Sequence, residues 1–300
     1  MGRWRPAPEG RGDQRRPDRR ADRGRGPRPV TPIDPEAPST RLALLLAYDG
    51  AAYHGWQIQP GAPTVQGRVL EALRPLTVSE LRVVGASRTD AGVHALGQVA
   101  SVESSEPLAP GTVVAALNAR LPRDIRVLAA RAVHDGFDAR RAARLKRYGY
   151  LVDTATIPSP FLRGRAWHMG RALDVDAMRC AAPLLRGKQD FSAFCAAPGR
   201  GRDPVCTARA VRVVSLDNRI GILMSADAFL HHMVRNVVGT LVEVGLGRRP
   251  PGWVGEVLAG RDRRAAGPTA PADGLYLLRV LYGWTLFPGG RHAGRAGALR

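Results

Sequence analysis

In the stretch RLALLLAYDG, residues 41–50, apolar positions run unbroken for the length of a strand and stop at Asp49 and Gly50. This predicts a buried strand. The period then changes: PTVQGRVLEALRPL spaces Val65, Val69 and Leu73 four apart behind Pro63, the signature of a helix with its start signal. LRVVG and HALGQVASVES follow as two strands, joined by a short glycine-bounded loop that carries Arg88 and Asp90. GTVVAALNARLP reads as a helix closed by Pro122, and IRVLAARAV as another strand.

A second unit starts near Ala143. KRYGYLVDT predicts a strand with Tyr148, Tyr150 and Val152 on one face. VDAMRCAAPLLRG predicts a helix capped by Asp174 and kinked or shortened at Pro183. ARAVRVVSL and IGILMSA flank Asp217 and Asn218, a hairpin signal. AFLHHMVRNVVGTLVEVG sets Phe229, Met233, Val237 and Leu241 on one stripe of a long buried helix. On such a helix His231 and His232 point about 100° apart, so the pattern predicts buried or interface roles for them rather than a shared metal. Strands and helices alternate irregularly with at least one hairpin, which predicts an α+β fold with mixed or antiparallel sheets.

The ends lack this periodicity. Residues 1–40 are rich in Arg, Pro, Gly and Asp, and residues 288–300 are similarly loose. Both are expected to be disordered tails, leaving an N-terminal subdomain at 41–143 that carries the Asp loop and a C-terminal subdomain at 144–287. The basic tail has two readings, a non-specific RNA contact or a functionless start. The basic loop GRGRD around Arg200 and Arg202 reads as a solvated segment more than a phosphate cradle.

Charge narrows the partner class. Lys and Arg total 45 against 26 acidic residues, a net charge of +19, which favours a polyanion and nucleic acid above all. A GC-rich coding bias explains why almost all the cations are Arg, but not so large an excess of positive charge. Three cysteines without a CxxC spacing argue against disulfides and a structural zinc and fit a reducing cytoplasm. No apolar run is long enough to span a bilayer, and no hydrophobic segment follows the first arginines, so neither a membrane anchor nor a secretory signal is expected. The chain has no GxxxxGK, no strand-adjacent GxGxxG, no HExxH and no GxSxG, which removes the usual signatures of nucleotide hydrolysis, dinucleotide redox, zinc proteolysis and serine hydrolysis.

Asp90 is the residue left to explain. A carboxylate is ionised at neutral pH and attacks carbon without a separate activating base. Arg88, two positions away, would point to the same side of an extended segment and hold Asp90 charged. Glycoside hydrolysis needs two carboxylates, and the sequence offers no obvious second. What remains is attack on a sugar or base by one Asp with no water added.

GASRTDAGVHALGQVA resembles the signature of the TruA family of tRNA pseudouridine synthases. YDGAAYHGWQIQP, TVQGRVLEAL, LNARLPRDIRV, FDAR, KRYGYLV, DFSAF, AFLHHMVRNVVGTLVEVG and GLYL resemble further family segments, in the family's order. The resemblance implies the pseudouridine synthase fold, two α/β subdomains with mixed, mainly antiparallel sheets flanked by helices and a central cleft. It implies isomerisation of uridine to pseudouridine at positions 38–40 of the tRNA anticodon arm, without cofactor or metal, by a cytoplasmic homodimer. Asp90 matches the family's nucleophile and Tyr148 the aromatic that contacts the target base and is thought to act as general base at C5. Arg88 matches the residue linked to base flipping, Arg235 the cation that pairs with the Asp, and Leu275 an apolar pocket residue. Whether the Asp attacks C1′ or draws a sugar proton to give a glycal stays open. The chain departs from the pattern at Ser87, where Gly is usual, at Gly67, where an acid is frequent, and at Gly149, where a larger side chain is common.

Overall fold

A computed structural model describes residues 34–78, 80–196 and 203–288. The expected tails, apart from residues 34–40 and Pro288, and the arginines of GRGRD lie outside the described residues.

The first strand among the described residues is β1 (Ser39–Tyr48), whose Leu42, Leu44, Leu45 and Leu46 are all buried. Both faces of the strand are covered, so its sequence is continuously apolar rather than alternating. After α1 (Val65–Leu73), capped by the Thr64 hydroxyl, come β2 (Arg82–Gly85) and the long β3 (His94–Leu108). Helix α2 (Pro110–Arg120) packs on β4 (Ile125–Ala132) and against α1.

Strand β5 (Leu145–Asp153) buries Tyr148, Tyr150 and Val152, the three residues its alternation assigns to one face. The short β6 (Trp167–His168) leads to α3 (Val175–Ala181), which Asp174 caps. A 3-10 turn at Ala182–Leu185 replaces the helix where Pro183 enters. Strand β7 (Gly187–Asp190) precedes the hairpin of β8 (Val205–Leu216) and β9 (Arg219–Ala226), with Asp217 at φ 54° in its turn.

Helix α4 (Met233–Gly245) is buried on nearly every side. It is shorter than the apolar stripe predicts, because His232 stands at φ 58° and breaks the helical path, leaving Phe229 outside it. A β-carbon at Gly239 would sit 1.7 Å from the Pro268 carbonyl oxygen. Only glycine therefore lets the 267–270 segment lie flat on this helix. Helix α5 (Trp253–Gly260) and β10 (Leu275–Leu281) complete the described elements.

The described strands form one mixed sheet, β4-β1-β3-β10-β5-β9-β8-β7, with β2 beside β3 and β6 beside β5. Pairings are antiparallel except β3–β10 and β5–β6. Leu277 of β10 registers with Tyr148 on one side and Ala95 on the other. The last strand thus brings the loop before β3 next to β5.

Candidate active site

Residues 86–93, between β2 and β3, are fastened through their backbone. The buried Gln98 amide accepts from the Ser87 N–H at 3.2 Å and donates to the Ser87 carbonyl at 2.7 Å. Thr89 turns inward, its hydroxyl 2.8 Å from that of Tyr48, while the Trp56 N–H donates to its carbonyl at 3.1 Å. Gly55, at φ 84°, comes so close that a β-carbon there would lie 2.5 Å from the Thr89 carbonyl oxygen. These anchors present Asp90 from a rigid frame, which is what a reacting carboxylate requires.

Arg88 and Asp90 line the same cavity. The cations around the carboxylate nevertheless come from elsewhere. Among the described residues, Asp90 has ion partners in Arg235 (Nη1 to Oδ2, 3.7 Å), His232 (Nε2 to Oδ2, 3.4 Å) and His231 (Nε2 to Oδ1, 4.0 Å). Arg88 is exposed at the rim, so the cations nearest the carboxylate are brought by tertiary packing rather than by its own loop. The two histidines also depart from the sequence expectation. Because His232 is left-handed and α4 begins after it, neighbouring side chains that a helix would splay stand together, ring centroids 3.9 Å apart. Asp90, His231 and His232 place three donor atoms within 4.8 Å of one another.

Burial pushes the His232 imidazole below the ordinary histidine value; Asp90 pulls it upward, and His231, Arg235 and Arg263 add to the lowering. Arg235 stands in the first turn of α4 with its side chain 15% exposed, its Nε donating to the Ala270 carbonyl at 2.7 Å. The Ala270 N–H returns a bond to the Arg235 carbonyl. Beneath it lies a polar knot. Asn236, fully buried, accepts from Arg263 at 3.1 Å and from Thr269 at 2.7 Å, and donates to the Phe194 carbonyl at 2.8 Å. Composition and spacing give no hint of this knot, since its members are far apart in sequence. Gln98 is more legible, as an amide within a run that is otherwise apolar or small.

The cavity holds about 300 Å³. Tyr148 and Leu275 line it, both buried, with Phe229 set edge-on to Tyr148 at 4.8 Å. The Tyr148 hydroxyl meets that of Ser87 at 2.8 Å, and burial raises the phenol to about 12, the Ser87 bond opposing the shift and the Asp90 charge adding to it. Arg140 and Lys146 join Arg88 among the lining residues. Asp90 is the lone carboxylate among the described residues of the lining. Gly149 faces away, against Leu278 and Leu223, and Gly67 lies in the first turn of α1; neither lines the cavity.

A single carboxylate flanked by cations, an aromatic wall and a basic rim suit a planar, flipped base attached to an anionic backbone. The chain matches the family model described as tRNA pseudouridine synthase over residues 45–140 and 181–283. It is 46% identical over 243 residues to tRNA pseudouridine synthase A of Myxococcus xanthus, covering 81% of this chain and 92% of that one. It is 44% identical to the protein of that name from Ralstonia nicotianae (81% and 90% covered) and 40% identical to that of a Thermoanaerobacter species (80% and 99%). With two thirds of its length matched by the family model and relatives 40–46% identical over about four fifths of it, the chain belongs to the tRNA pseudouridine synthase family.

Proposed function

We propose that this protein isomerises uridine to pseudouridine at positions 38–40 of the tRNA anticodon arm, with Asp90 as nucleophile. The observation that carries the reading is Asp90 itself, on an anchored loop, paired with Arg235 and the lone carboxylate among the described residues that line a cavity with Arg88, Arg140 and Lys146. The relatives' shared name, tRNA pseudouridine synthase A, supports the substrate class, and the +19 charge supports an RNA partner.

The surface gathers the anticodon arm through phosphate contacts, and Arg88, at the rim, assists eversion of the target uridine at a cost of a few kcal/mol. The uracil enters between Tyr148 and Leu275. Asp90 then assists cleavage of the bond from N1 to C1′, by adding to C1′ or by taking a sugar proton. The freed ring turns, rejoins through C5 and loses its C5 proton. With its phenol protonated at neutral pH, Tyr148 serves first as the contact surface for the ring. The reaction adds and removes no group and transfers no net electrons, so it requires no cofactor. In this reading residues 41–143 present the nucleophile with Arg88 and Arg140, and residues 144–287 supply Tyr148, Leu275 and the cations beside Asp90, in a cytoplasmic homodimer.

The test is tritium release from tRNA carrying uridine labelled at C5. Asp90→Ala is expected to bind tRNA and release no tritium. Wild-type release would sink the assignment, and mapping pseudouridine in the product checks the three positions.

A further inference from the structure

We propose that Asp90, His231 and His232 form a binding site for a borderline divalent cation of the zinc class, and that its occupancy switches the enzyme off by masking Asp90. The masking step rests on the reading of Asp90 given above. The site itself rests only on geometry.

Two imidazoles approach one carboxylate in the lining of the cavity, His232 Nε2 at 3.4 Å from Oδ2 and His231 Nε2 at 4.0 Å from Oδ1, with three donor atoms all within 4.8 Å of one another. Ligands of a tetrahedral zinc ion at bonds of about 2.0–2.2 Å are roughly 3.3 Å apart. Small side-chain rotations close that gap, and the His231 side chain, 50% exposed, is free to make them. Three protein ligands leave the fourth position open to solvent. Imidazole nitrogen selects zinc, nickel or cobalt over magnesium, which prefers oxygen, so millimolar magnesium in a tRNA buffer does not compete.

Arg235 limits the affinity, as its guanidinium lies 3.7 Å from Oδ2. It does not block the site, because its Nε is committed to the Ala270 carbonyl and Oδ1 faces His231. Binding is thus expected to be reversible and to respond to free zinc rather than to be permanent. Once bound, the cation takes the lone pairs Asp90 needs for attack and obstructs the path of the ribose.

The experiment titrates the full-length chain with zinc against a chromophoric chelator in excess magnesium, beside His231→Ala and His232→Ala. One ion per chain is expected, weakened roughly tenfold or more by either substitution. Cobalt supplies a readout that needs no variant. Visible bands of nitrogen and oxygen ligation support the site, whereas a thiolate charge-transfer band would assign the ion to the exposed Cys180 and overturn it. Tritium release should stop at the zinc concentration that fills the site and recover with EDTA; turnover with the site filled overturns masking. If Asp90→Ala still turns over, the reading of Asp90 fails and masking with it, while the titration decides the site independently.

Discussion

The hydroxyls of Ser87 and Tyr148 lie 2.8 Å apart in the buried wall of the cavity. A buried phenol needs a partner for its O–H, and the loop that carries Asp90 supplies it. Ser87→Ala should therefore destabilise the fold by about 1–3 kcal/mol, and a double-mutant cycle with Tyr148→Phe should return a coupling near 1 kcal/mol. Urea unfolding measures both.

With its phenol raised to about 12 by burial, Tyr148 stays protonated across the working range. The pH–rate profile is expected to show no tyrosine ionisation limb between about pH 6 and pH 10. A limb in that interval that vanishes in Tyr148→Phe would show that the phenol ionises there.

Arg235→Met removes the half-buried guanidinium beside Asp90 and leaves the Ala270 carbonyl without its side-chain donor. The chemical step should slow about a hundredfold, with tRNA affinity little changed. Single-turnover kinetics at saturating enzyme separates the two; an unaltered rate with unaltered pH dependence would mean that the pairing is idle.

Asn236→Ala removes the acceptor shared by Arg263 and Thr269, which keep their bond to each other, and leaves the Phe194 carbonyl without its side-chain donor. A loss of about 2–3 kcal/mol is expected, together with a slower chemical step, since Arg235 is the preceding residue. If stability falls while the rate is untouched, the knot supports the fold alone.

His232 titrates below its unfolded value. As pH drops through about 6.5 the unfolded chain takes up the proton first, so stability falls toward acid until the folded imidazole also protonates. His232→Asn should lose less melting temperature than the wild type between pH 7 and about pH 5, as read by thermal scans.

Much of this molecule is legible one segment at a time. The leucine run of β1, the four-residue spacing of α1 and the Asp217–Asn218 turn each state their structure because the signal is local. Asp90 is legible for the same reason, standing on a glycine-bounded loop in an unusual local sequence. Of that carboxylate's partners, Arg235 is named by the family resemblance, but the two histidines are not. His231 and His232 read as members of a helix until a left-handed residue turns them back, and only tertiary packing decides that conformation. Arg263, Thr269 and Asn236 meet across a fold that spacing cannot anticipate. Strand β10 offers seven residues of ordinary pattern, yet it holds the centre of the sheet.

That position orders the birth of the enzyme. Until β10 has left the ribosome, β3 and β5 are two unjoined edges, one on each side of a gap that the last strand fills. Leu275, the first residue of that strand, is also a wall of the cavity. A nascent chain stopped before it carries Asp90, Tyr148 and Arg235 but has neither a continuous sheet nor a closed pocket. Activity therefore waits for β10, and a premature stop ahead of it yields a protein with sticky edges rather than a weakened catalyst.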